Sequence, residues 1–68
     1  MKSFMMYRRI IQLSDSPQSQ DMNRKAFVVE INDLLDEGYS VISSGITNYA
    51  ANGTVYEVNW AHLIRGGR

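Results

Sequence analysis

Two hydrophobic periods run along this chain, and the change from one to the other marks its elements. Lys25 to Gly45, KAFVVEINDLLDEGYSVISSG, holds both. With Ile31 at the centre of a wheel turning about 100° per residue, Phe27, Val28, Leu34 and Leu35 fall within about 60° of it. Glu30, Asn32, Asp33, Asp36 and Glu37 fall outside that arc. One apolar stripe on a polar cylinder is the pattern of a helix lying on a sheet. Val29 points nearly opposite the stripe. Arg24 stands in line with it at the N-terminal end, where its stem can cover apolar surface and its guanidinium can reach water. Gly38 fits the C′ position, which needs φ > 0. Leu34 is then C3 and Tyr39 is C″, two residues that meet in a Schellman ending. For the helix start, Asp21 is the favoured N-cap, with Asn23 and Ser19 as alternatives.

Phe4 to Leu13 (FMMYRRIIQL) reads as a first strand. Met5, Tyr7, Ile11 and Leu13 share one face; Phe4, Met6 and Ile10 share the other. Apolar residues on both faces suit a strand covered on both sides, or a central one. Arg8 and Arg9 point to opposite faces, and their expected partners are Glu57 or the helix acids. Ser14 to Gln20 (SDSPQSQ) is polar, holds the single proline and reads as a flexible loop.

After the helix, Tyr39 to Ala51 forms a second strand, Asn52-Gly53 a two-residue type I′ turn, and Thr54 to Arg65 the returning strand. That turn sets a register in which Ala51 faces Thr54, Tyr49 faces Tyr56, Thr47 faces Val58, Gly45 faces Trp60, Ser43 faces His62 and Val41 faces Ile64. An indole covering a strand glycine is a recognised pairing device. One hairpin face then carries Tyr39, Val41, Thr47, Tyr49, Tyr56, Val58, Trp60, His62 and Ile64. Being richer in large apolar groups, it is expected to lie under the helix. The other face gathers Ile42, Ile46, Ala61 and Leu63 at the end away from the turn, and such a patch marks an oligomer interface. Gly66-Gly67-Arg68 reads as a disordered tail.

The expected fold is α+β, a single β-α-β-β domain over residues 1–68 with one helix packed on a three-stranded, mostly antiparallel sheet. A right-handed crossover makes strands one and two parallel. Strand one can pair with strand two or with strand three; the greater frequency of antiparallel pairs favours strand three.

Composition narrows the function classes. The chain has 68 residues, no cysteine and one histidine, which excludes disulfides, thiolate sites and multi-histidine metal sites. A core of this size alone supplies roughly 3–5 kcal/mol, so self-association is the expected support. Seven basic residues balance seven acidic ones, so no global field draws the chain to nucleic acid or membrane. No apolar run approaches the roughly 20 residues of a membrane span, and MKSFMMYRR lacks a signal-peptide core. The expected location is cytoplasmic.

The junction Leu34-Leu35-Asp36-Glu37-Gly38-Tyr39 resembles the L-L-x-E-G-W-x-L junction of small bacterial and phage domains of unknown function, with tyrosine for the usual tryptophan. The resemblance implies a β-α-β-β fold and a homodimer, and it implies no activity.

No catalytic, cofactor or metal motif stands out. His62 has Ser43 and Ser44 nearby but no carboxylate on its face, so it reads as structural. Tyr49, Tyr56 and Trp60 could stack bases only on an open face with basic residues interleaved. Thr47, Val58 and His62 are interleaved instead, which favours a core and disfavours nucleic acid. Val29, Asp33, Asp36 and Glu37 form a solvated helix face or a docking face for another protein. Arg8, Arg9 and Arg65 are the candidates for a small anionic ligand. The leading reading is a non-enzymatic protein-interaction module acting as a small homo-oligomer, of the kind phages use to inhibit host defence complexes. The alternative is a protein that sequesters a small ligand or nucleotide with arginines at an oligomer interface.

Overall fold

Four elements follow one another in the computed structural model, which describes residues 2–66: β1 (Lys2–Gln12), α1 (Pro17–Asp36), β2 (Ser40–Ala51) and β3 (Thr54–Gly66). The sheet order is β1-β3-β2, and both pairings are antiparallel. Of the two pairings open to strand one, the chain takes the one with strand three. This puts β3 in the middle and β1 at the sheet edge, rather than in the central place that its two apolar faces suit. The helix packs on one face of the sheet, giving an α+β fold of β-α-β-β order.

The hairpin turns at Asn52 (φ 52°) and Gly53 (φ 78°). Both torsions are positive, as a type I′ turn requires. The expected register holds from Ala51↔Thr54 to Ser43↔His62, including Gly45↔Trp60. It then slips at a bulge between Val41 and Ser43, so Val41 faces Leu63 rather than Ile64. A bulge puts an extra residue on one strand, and here that residue is Ile42.

The helix starts earlier than the sequence reading places it. Ser16 is the N-cap, and its hydroxyl accepts a hydrogen bond from the Ser19 amide at 3.2 Å. Pro17 follows within the first turn, where a missing N–H costs nothing. Asp21, Asn23 and Ser19 therefore lie inside the helix. The expected flexible loop Ser14–Gln20 shrinks to a tight turn. The Gln20 side-chain amide ties that turn down by donating to the carbonyls of Leu13 (3.1 Å) and Asp15 (2.9 Å). At the other end, the Tyr39 amide donates to the Leu34 carbonyl and the Gly38 amide to that of Leu35, both at 3.0 Å. With Gly38 at φ 97°, this is the Schellman ending expected from the sequence.

The two sheet faces are reversed relative to the sequence reading. The helix covers Tyr7, Arg9 and Ile11 of β1 with Glu57, Asn59, Ala61 and Leu63 of β3. Tyr7 stacks on Phe27 with ring centroids 5.6 Å apart. Ile11, Ala61 and Leu63 are the buried apolar residues among those described, and Asn59 is buried beside them. The physical reason is volume. The helix and β1 bring the bulk, namely Phe27, Ile31, Leu34, Tyr7 and Ile11, so the β3 positions between Glu57 and Leu63, namely Asn59 and Ala61, are compact enough for the layers to approach. The covered stripe of α1 is also narrower than expected: Phe27, Ile31 and Leu34 are half-buried, while Val28 and Leu35 remain exposed. Gly66 closes β3 opposite Lys2, whereas Gly67 and Arg68 of the expected tail lie outside the described residues.

The result is an elongated, thin slab of 47 × 21 × 13 Å with a radius of gyration of 13.9 Å. A compact chain of this length has about 11 Å. The accessible surface of 4906 Å² likewise exceeds the roughly 4,400 Å² typical of this mass.

Candidate interaction surface

The sheet face turned away from α1 is uncovered. β1 contributes Phe4, Met6, Arg8 and Ile10; β3 contributes Tyr56, Val58, Trp60 and His62; β2 contributes Thr47 and Tyr49, with Ile42 at the bulge. Phe4 is 73% exposed, Met6 56% and Ile42 56%. Two aromatic pairs order this surface. Tyr49 and Tyr56 stack across the hairpin at 5.1 Å and 21°, and Trp60 meets His62 at 5.4 Å and 56°. The indole of Trp60 lies over Gly45, where an added Cβ would stand 2.9 Å from its ring. Beside it, Met6, Arg8, Thr47, Tyr49, Val58, Trp60 and His62 line an open hollow of about 450 Å³.

The expected oligomer patch does not exist as one surface. Ala61 and Leu63 are buried under the helix. Ile46 is exposed on the helix side near Arg24, Phe27 and Val28. Ile42 borders a hollow with Phe4, Met5, Met6, His62 and Leu63, so of the four expected residues only Ile42 and Leu63 are neighbours there. The cause is the same as for the reversed faces: the less bulky half of the hairpin, with Asn59 and Ala61, is the half that admits the helix.

The three candidate arginines are separated. Arg9 faces the helix and donates from Nε to Asn23 Oδ1 at 3.0 Å. Arg65 places its guanidinium over the Tyr39 ring, 4.8 Å from the centroid. Arg8 projects into the open face and, among the described residues, makes no ion pair. The expected partnership of Arg8 or Arg9 with Glu57 is not made. Arg24 takes that place with a fork to Glu57, Nε to Oε2 at 3.0 Å and Nη2 to Oε1 at 3.2 Å. This pair ties α1 to β3, and Asn59 adds a bond to Glu57 Oε2 at 2.8 Å. The Arg24 and Asn59 hydrogen bonds hold the Glu57 carboxyl below its usual pKa against the opposing effect of burial. The bond to Glu57 raises the Arg24 pKa in turn.

Glu57 is the one acidic residue in the three strands, and it faces the helix. The open face thus carries Arg8, Lys2 and His62 with no carboxylate among its strand positions. Val29, Asp33, Asp36 and Glu37 lie exposed on the outer side of α1, a separate, acidic surface. His62 is exposed and stands with Trp60, away from any acid of the strands. Among the described residues no cluster of three potential metal ligands occurs, and no helix is long and apolar enough to cross a membrane.

The open aromatic face is hidden in the sequence because the larger apolar half of the hairpin has the composition of a core. The available signal is the second apolar row of β1, Phe4, Met6 and Ile10, which a single helix cannot also cover. No protein-family profile, no curated protein and no solved structure matches this chain.

Proposed function

We propose that this protein is a non-enzymatic interaction module that assembles with a second copy of itself through the open face of its sheet. The observation that carries the reading is the set of exposed apolar residues Phe4, Met6, Ile10, Ile42 and Tyr49 along the two edge strands of the uncovered sheet face. An apolar surface of this extent in a small chain is an interface. Its size suits the role. Strands of 11 residues, three abreast, present a face of about 500 Å² in projection. Two such faces together bury on the order of 1,000 Å², where specific interfaces begin. The elongated slab supports the same reading, since pressing two sheets together gives each a second covered side and forms a sandwich with the helices outermost.

The test is molecular mass by light scattering at micromolar concentration, run on the wild type and on Met6→Asp. A dimer or larger assembly is expected for the wild type. Met6→Asp should give a monomer with unchanged far-ultraviolet circular dichroism, because Met6 has no role in the helix-side core. A monomeric wild type would overturn the reading.

A further inference from the structure

The open face is apolar at its ends but cationic in the middle. Arg8 stands opposite Trp60 on the neighbouring strand, and both border the hollow of about 450 Å³. That volume falls within the range of small-ligand sites. Gly45 lets the indole lie down on β2, where it borders the hollow. Tyr49 and His62 flank it, and Thr47 adds a hydroxyl. A flat aromatic platform next to an unpaired guanidinium is complementary to a ligand that is planar at one end and anionic at the other.

Assembly makes the demand for an anion sharper. Two copies joined by this face enclose an Arg8 from each, and no strand carboxylate is present on that face to neutralise them. An enclosed charge without a partner opposes association. A negatively charged occupant removes that opposition.

We infer that the hollow formed by Arg8, Trp60, Tyr49, His62 and Thr47 binds a nucleotide, with the phosphate on Arg8 and the base stacked on Trp60. The site rests on the self-assembly above for its enclosure, while its cation and its stacking platform belong to each copy. Free mononucleotides and the residues of a single strand share this chemistry.

Trp60 is the only tryptophan of the chain, so its fluorescence reports on the site directly. The full-length protein is titrated separately with adenosine 5′-monophosphate, adenosine, inorganic phosphate and an oligothymidylate of about ten nucleotides, a length typical of one single-strand site. Saturable quenching by the monophosphate is expected, with adenosine weaker by about tenfold or more through loss of the charge-assisted contact to Arg8. Phosphate, which competes for Arg8 but has no base to stack on Trp60, should bind about tenfold or more weaker and give little quenching. Arg8→Gln should weaken the monophosphate by a similar factor while light scattering shows the same assembly as wild type. Tighter quenching by the oligonucleotide than by the monophosphate, again lost in Arg8→Gln, identifies a nucleic-acid strand as the source of the same chemistry. A dimer that no nucleotide or oligonucleotide quenches overturns the inference and leaves the assembly standing. A monomer that binds through Arg8 overturns the assembly and supports the site. Equal binding by wild type and Arg8→Gln overturns the site.

Discussion

Trp60 lies across Gly45 because glycine leaves the space. An alanine Cβ there would come within 2.9 Å of Cζ2, 3.2 Å of Cε2 and 3.3 Å of Nε1. The whole indole would have to lift, since the contacts spread over a rigid ring rather than the end of a flexible chain. Gly45→Ala should therefore destabilise by about 1–3 kcal/mol through overpacking, and it should shift the Trp60 emission. Thermal melts and fluorescence spectra measure the two effects. Glu57 gives a second residue-scale expectation. Its folded pKa lies below its unfolded one, so the unfolded chain binds more protons in acid. The stability it supplies is present above about pH 4.3, the ordinary glutamate value, and is lost as pH falls through the lower folded value. Glu57→Gln should melt below wild type at neutral pH, and the gap should close in acid. A gap that stays constant in melts across that range would remove the Arg24–Glu57 fork as its cause.

At the scale of elements, both helix ends are built from local chemistry. Ser16 and Pro17 start α1, and Gly38 stops it in the left-handed region. Gly38→Ala keeps contact distances tolerable, the nearest atom being Arg65 Cδ at 3.6 Å, but forces an L residue to φ 97°. A loss of about 1 kcal/mol in chemical denaturation is expected. The acids of the last turns gain nothing from the helix dipole, which disfavours anions there. No basic residue occupies that turn; the nearest cation is Arg65, whose side chain passes Gly38 and covers Tyr39. The Leu34–Tyr39 junction was legible in the sequence for this reason. Leucine, glycine and an aromatic at these spacings make a Schellman ending whatever the chain does afterwards.

For the whole molecule, the reversed faces make a sharp comparison between two substitutions. Leu63 is fully buried beneath α1, and complete burial of such a side chain is worth about 1.5–3 kcal/mol. Leu63→Asp removes that and leaves a carboxylate without a partner. In a domain with so few buried residues it should abolish the cooperative melt seen by circular dichroism. Ile46→Asp lies on the helix side at the exposed edge strand and should leave both the fold and the assembled mass intact. A folded, monomeric Leu63→Asp would mean that the helix lies on the other face.

Local chemistry alone determined the elements of this protein. A period near 3.6 made α1, Asn52-Gly53 made the hairpin, and the hairpin carried Gly45 to Trp60. These depend on residues close in sequence or locked together by a two-residue turn. The order β1-β3-β2 followed from pairing preference. The side of the sheet that the helix takes was not fixed in this way. Both hairpin faces hold apolar residues, and alternation separates the faces without ranking them. Only the packed structure decides, because the choice depends on the summed volume of α1, β1 and β3: bulky Phe27, Tyr7 and Ile11 leave room for Ala61 and Asn59, not for Trp60. The same decision turned Trp60, Tyr49 and Arg8 outward, and with them the surface on which the proposed assembly and ligand site both stand.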